Sequence, residues 1–317
     1  MSCKKTSIGG QALIEGIMMR GPKRTVMAVR KKDGSIDISE RSISSFKDKY
    51  PVLKLPIIRG VAGFVESMTV GYKAMMDSAE ISGYLDEEEL QAEKEKAEKK
   101  NNSALMAAIT IIATVLAVIL SVGLFIYLPS LAFKGINYLV GGVLSPLQSL
   151  FEGILKIAIF LGYMYAVSLM KDIDRVFRYH GAEHKTIFCY EAGEELTVEN
   201  VKKQGRFHPR CGTSFMILML IVSIFVTFVL DAIVPWLKGI LWLRTIIKLL
   251  LVPIICGIGY ELIKVCGKYD SLLSKVIAAP GLWIQRLTVK EPDDSMIEIA
   301  IAAMKEVIPE NEEEAKW

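Results

Sequence analysis

The apolar residues of this chain come in long unbroken blocks, not at the spacing of a soluble core. Residues 105–128 carry no charge, and neither do residues 213–230. A helix of about 20 apolar residues crosses a hydrocarbon layer about 30 Å thick, so each block predicts a spanning helix. Two further segments are apolar but carry charge. Residues 147–170 include Glu152 and Lys156, and residues 241–263 include Arg244 and Lys248. These either span as well or lie as a buried hairpin in the interface. The pattern predicts a mainly α membrane protein with about four transmembrane helices. It divides the chain into a head (1–102), a first hairpin (103–170), a polar loop (171–212), a second hairpin (213–263) and a tail (264–317).

The polar segments have patterns of their own. The stretch from Ile8 to Pro22 holds Gly9, Gly10, Gly16 and Gly21, which predicts a tightly folded loop. Thr25 to Arg30 and Ser35 to Ser39 flank Asp33-Gly34, the turn chemistry of a β-hairpin. From Arg59 to Glu80, Val61, Phe64, Val65, Met68, Tyr72, Met75 and Met76 recur at helical spacing, giving an amphipathic helix that packs on the hairpin or lies on the membrane. The head is therefore a small α+β unit. Residues 86–100 are a charge run, expected to be a solvated helical linker. In the tail, Pro280-Gly281 predicts a break. Asp293 and its neighbours cap a last helix with Met296, Ile299, Ala303 and Val307 on one face.

Composition agrees with the blocks. Hydrophobic residues make up 52% of the 317 and the mean hydropathy is +0.37, high for an ordinary soluble enzyme. The first apolar block begins after residue 100, too late for a secretory signal. Of 38 Lys and Arg, 18 lie in residues 1–102, eight in 171–210 and seven from 264 onward. The positive-inside rule then places both termini and the 171–212 loop in the cytoplasm. No basic stripe with interleaved aromatics marks a nucleic-acid surface. Five cysteines without framework spacing, in a chain whose polar segments are cytoplasmic, are expected as thiols or metal ligands.

All three histidines fall within residues 180–208. Residues 179–185 read Tyr-His-Gly-Ala-Glu-His-Lys, and residues 207–212 read Phe-His-Pro-Arg-Cys-Gly. If residues 175–190 are helical, His180 and His184 share one face and Glu183 lies on the same side. H-x-x-E-H is the order of inverzincins, in which two histidines hold zinc and the glutamate is the general base. His208 and Cys211 complete a set of four donors. Four protein ligands make a closed structural site, whereas three leave a position open for chemistry. Glu261 is a further candidate, a downstream glutamate of the kind that supplies the third ligand in inverzincins. Cys189 and Glu191 follow on the same helix as supporting residues. In the glycine-rich stretch, Gln11, Glu15 and Arg20 suggest either an anion-binding loop or a structural cap in which Glu15 pairs with Arg20 or Arg59.

Four motifs in order carry a family resemblance: Gly9-Gly10-Gln11-Ala12 with Glu15-Gly16 and Met18 to Pro22; His180 to Lys185; Phe207 to Thr213; and Arg286-Leu-Thr with Glu291 to Ser295. Nearly end to end, the chain resembles the bacterial YqhQ family, a domain-of-unknown-function family of predicted metal-dependent membrane proteins. The resemblance implies a bacterial cell membrane and brings no substrate with it. Together these features predict a divalent metal, zinc by ligand type, at the cytoplasmic membrane face, serving a hydrolase in which His180, His184 and His208 bind the ion and Glu183 is the catalytic base. Its expected partners are the bilayer, a membrane-protein or lipid-linked substrate and, in a homo-oligomer, further copies of itself. A scaffold, assembly or sensor protein with a structural metal is the main alternative, and a transporter the third.

Overall fold

In the computed structural model the described residues are 6–41, 50–84, 103–269 and 271–315. The charge run at 86–100 lies outside them. The chain opens with a four-stranded antiparallel meander: β1 (Gly9–Leu13), β2 (Gly16–Arg20), β3 (Thr25–Arg30) and β4 (Ile36–Glu40). The β3–β4 hairpin turns at Gly34, whose φ of +85° only glycine adopts freely. The glycine-rich stretch, expected as a loop, is instead the β1–β2 hairpin, turning through Glu15 at φ +51°. Its apolar Ile17, Met18 and Met19 decide the matter, because burial of a continuous strand outweighs the entropic cost of the glycines.

Alternation along the strands sends side chains to opposite faces. Ile17, Met19, Val26 and Ala28 share one core with Tyr179 and Ala182 of α5 (Lys171–Glu191) and with Met296, Ile299, Ala300 and Ala303 of α11 (Asp294–Val307). Leu13, Met18, Met27 and Val29 face Ala74 of α1 (Ile58–Ile81). The sheet is thus covered on both faces. Head, histidine helix and tail are one packed body, although they are far apart in sequence. Asp293 caps α11, its carboxylate accepting from Met296 N–H at 3.0 Å.

Most of the remaining helices are long and apolar. α2 (Ser103–Val122) runs through a π turn at Gly123–Tyr127 into α3 (Leu128–Leu139). The first apolar helix therefore continues well past Leu128, because the wide turn just before Pro129 absorbs the missing proline N–H. α4 is Gln148–Ser168 and α7 is Gly212–Ile233. α8 (Leu241–Leu250) and α9 (Val252–Lys268) form a pair bent by 44°. Among the described residues, three helices are long and apolar enough to cross a membrane, or four if the bent pair is one span. α6 is Val198–Lys203, and α10 (Leu272–Thr288) packs on α7. The break expected at Pro280-Gly281 is absent. Pro280 sits inside α10, where the bare backbone of Gly281 packs on Ser214.

Of the charges named on the two weaker segments, Glu152, Arg244 and Lys248 meet one another, whereas Lys156 donates to Ser223 Oγ at 3.4 Å. Arg244 of α8 is 1% exposed and bridges Glu152 of α4 and Asp231 of α7, at 2.7 Å to the latter. Lys248 reaches the second Glu152 oxygen at 2.6 Å, and Ser149 hydrogen-bonds Asp231. This network ties the bent pair to α4 and α7.

Candidate metal centre

α5 is amphipathic, with its inner side buried from Tyr179 to Ile187 except at His180, which is half-buried. His180 and His184, one turn apart, place their rings edge to face with centroids 4.4 Å apart. Gly181 lies between them because α5 runs against the segment after α10: a Cβ there would overlap the Lys290 carbonyl oxygen. The turn at Pro209 brings Cys211 to the first residue before α7, its backbone extended at ψ 147°. One potential ligand atom from each of His180, His184 and Cys211 lies within 4.8 Å of the others, so the three could hold a metal ion.

Backbone carbonyls set both imidazoles. His180 Nδ1 lies 3.0 Å from Thr288 O, and His184 Nδ1 lies 2.6 Å from Arg206 O. A carbonyl can only accept, so each Nδ1 carries a proton, and Nε2 is the atom that offers a lone pair when the imidazole is neutral. His180 Nε2 points at Cys211 Sγ, 3.1 Å away. This is the orientation metal-binding histidines acquire from their outer partners. Burial opposes charge on the Cys211 sulfur, yet the adjacent His180 and His184 hold the thiol well below its ordinary value. The start of α7, where backbone N–H groups converge, favours the thiolate too. Burial likewise opposes charge on His180, but Cys211 and Glu183 raise it to about 9.

Glu183 is buried beside this group. Burial pushes its carboxyl above the usual range, offset in part by His180 and His184 and by a hydrogen bond from Gly10 N–H. A Cβ on Gly10 would come within 2.9 Å of the Glu183 carboxyl carbon. The glycine motif at the start of the chain and the histidine motif are therefore two sides of one site. The group that the glycine-rich segment receives is the chain's own Glu183 carboxyl.

His208 is not in the group of three. Its ring is 5.5 Å from that of His184, but its Nε2 lies 3.1 Å from Arg210 Nη2 and its Nδ1 accepts from Arg210 N–H at 3.3 Å. Burial, with His184 and Arg210 nearby, lowers its pKa despite Glu191. Glu191 pairs with Arg210 and accepts from Thr6 N–H at 2.8 Å. Cys189 turns to the carbonyls of Glu194 and Glu195. Glu261 is engaged by Arg59 at 2.6 Å, not by the histidines. Glu15 pairs with Arg175 and lies 3.2 Å from the Tyr179 hydroxyl, correcting the expected partners Arg20 and Arg59. Arg20 pairs with the buried Glu66, and Gln11 packs on Gly71 of α1.

Gln285 has no motif to announce it. Fully buried, it accepts from His208 N–H at 2.8 Å and donates to His208 O at 2.7 Å and Ser214 Oγ at 2.9 Å. It thereby locks the turn that carries Cys211. The carbonyls of Thr288 and Arg206 were equally unreadable, since backbone acceptors leave no residue-type signal.

Residues 55–310 match the family described as protein of unknown function (DUF1385). The chain is 36% identical over 301 residues to the uncharacterized protein YqhQ of Bacillus subtilis (strain 168), covering 95% of this chain and 92% of that one. No solved structure matches. Glycine hairpin, histidine helix and cysteine turn are thus parts of one site in a protein that belongs to the DUF1385 family, with YqhQ as a relative along nearly its whole length.

Proposed function

We propose that the protein is a multi-pass bacterial cell-membrane protein with both termini in the cytoplasm. In this reading it carries a divalent ion, zinc by donor type, at the cytoplasmic membrane face and acts as a hydrolase. One observation supports it above others: two imidazoles, anchored through Nδ1–H, turn Nε2 toward a thiolate beside a buried carboxyl. His180, His184 and Cys211 would hold the ion, and three protein donors leave a position for a reactant. Bound there, a divalent ion supplies Lewis acidity toward a carbonyl. Glu183, buried beside the three donors, would serve as the general base. Hydrolysis adds water across an amide or ester bond. Glu183 takes one proton from the water and delivers it to the leaving nitrogen or oxygen. Because the donors sit between the first turn of α7 and the end of α10, the substrate class is a membrane peptide or a lipid-linked amide or ester.

A second reading has one specific support. His208 is buried beside His184, and its recruitment as a fourth ligand would make a closed, structural site in a scaffold, assembly or sensor protein. Transport is disfavoured, because Glu152 and Asp231 are consumed in pairs with Arg244 and Lys248, and Lys156 donates to Ser223 Oγ. Elemental analysis of the purified protein beside His184→Ala tests the metal: wild type lacking a stoichiometric ion sinks both metal readings. X-ray absorption then separates three protein ligands from four. Glu183→Gln should keep its metal and lose turnover.

A further inference from the structure

The segment leading into α1 is unusual for a cytoplasmic surface. From Tyr50 to Ile58 it reads Tyr-Pro-Val-Leu-Lys-Leu-Pro-Ile-Ile. Tyr50, Val52 and Leu55 are 52%, 62% and 52% exposed, and Ile57 and Ile58 are also exposed. Isolated exposed apolar residues need no explanation, but a contiguous run marks a contact surface.

The register against the apolar helices gives its depth. A Cβ on Gly257 of α9 would overlap Ile57, and one on Gly60 would come within 3.0 Å of the Gly257 Cα. Two residues along α9, Gly259 faces Phe215 and Met219 of α7, and Phe64 packs on Phe215 at 5.8 Å. α9 approaches its cytoplasmic end as numbering rises, so Gly257 lies deeper than Gly259. Ile57 is therefore at about the level of Met219. At about 1.5 Å per residue, Met219 is roughly 10 Å along α7 from its start at Gly212. In a hydrocarbon core about 30 Å thick, that is well inside the cytoplasmic leaflet.

The backbone suits that place. Irregular chain at membrane depth must satisfy its own polar groups. Leu53, Leu55, Ile58 and Arg59 N–H donate to carbonyls within the segment. Ile57 N–H donates to Glu261, and Pro51 and Pro56 have no N–H to satisfy. The single charge, Lys54, has a stem long enough to carry its ammonium toward the headgroups. Arg59 and Glu261 neutralise each other at the same level.

We propose that residues 50–58 form a re-entrant turn inserted into the cytoplasmic leaflet, with Val52, Leu55 and Ile58 against lipid acyl chains. On α9 the exposed Ile254, about one turn deeper than Gly257, continues the same belt. α1 then acts as a strut. Its first turn is embedded, and its far end, at Ala74 and Ser78, supports the sheet whose Gly10 touches Glu183. The inference rests on α7 and α9 spanning the bilayer.

The test is spin-label accessibility in the full chain, reconstituted into phosphatidylethanolamine–phosphatidylglycerol vesicles. Val52→Cys and Leu55→Cys are made in a Cys3→Ser, Cys266→Ser parent whose residual labelling is subtracted. Leu120→Cys, in the first apolar helix, and Lys32→Cys, at the tip of the β3–β4 hairpin, serve as references. Both test positions are more than half exposed, so cysteine there leaves no cavity. The expected result is a ratio of oxygen to nickel-chelate accessibility at 52 and 55 severalfold above that at 32 and close to that at 120. Values at 52 and 55 matching 32, with 120 lipid-exposed, overturn the insertion while leaving the spans intact. Low accessibility to both reagents at 52 and 55 also overturns it, showing protein cover such as a second copy. Water exposure at 120 removes the spanning reading first, and the insertion with it.

Discussion

Gly181→Ala isolates the packing that orients His180. The new Cβ would overlap the Lys290 carbonyl oxygen, a backbone atom that cannot rotate away. The segment after α10 must then move off α5. It carries Thr288 O, 3.0 Å from His180 Nδ1, and Lys290 N–H, which donates to Phe177 O at 2.9 Å. Overpacking costs about 1–3 kcal/mol, a weakened hydrogen bond adds about 1 kcal/mol, and alanine in a helix returns up to about 1 kcal/mol. The net expectation is a loss of about 1–3 kcal/mol, or a melting temperature lower by roughly 2–12 °C at the scale of a 150–250-residue domain. Gly162→Ala, in α4 with open space around it, is the matched control and should melt at or above the parent. Thermal unfolding of the three proteins in one detergent, with metal content measured alongside, makes the comparison. If Gly181→Ala melts no lower than the parent and keeps full metal content, close packing of α5 on the 288–292 segment does not orient the site.

Three other outcomes follow from the same contacts. Burial alone would raise the Glu191 pKa, but His208, Arg210 and Thr6 N–H hold it below its ordinary 4.5. Its contribution to stability is therefore complete above that pH and fades as pH falls through the lower folded value; Glu191→Gln should be less stable at neutral pH and flatten the acid limb of a melting-temperature-against-pH curve. Arg244→Leu strands the buried Asp231 and should cost about 3–5 kcal/mol, with Arg244→Leu/Asp231→Asn recovering part of it in the same thermal assay; full stability of the single variant would remove the network's structural role. In chelator-stripped protein, Cys211 should show ultraviolet thiolate absorbance at neutral pH that Cys211→Ala lacks; a signal that develops only near the ordinary thiol value of 9.0 would contradict the pairing with His180.

Part of this protein was legible along the chain because its signal is local. Charge-free blocks mark apolar helices whatever their neighbours do. Asp33-Gly34 specifies its turn, Asp293 caps its helix, and His180 and His184 share a face by helical period alone. What the chain could not show is which distant residues neutralise one another. Arg244 and Lys248 looked like flaws in a weak span, but they complete Glu152 and Asp231 from other helices. Glu261 had the motif position of a ligand, and Arg59 claims it. Gly10 was recognisable only as a breaker and Gly181 only as a member of the histidine motif, since the atoms that exclude a Cβ, the Glu183 carboxyl and the Lys290 carbonyl, are far away in sequence. The donor types were therefore set locally by residue identity and helical period. Of the four donors proposed along the chain, the tertiary fold brought Cys211 to His180 and His184 and turned His208 toward Arg210. It did so through Gln285 and the carbonyls of Arg206 and Thr288, whose role depends on position in space and leaves no mark in residue type.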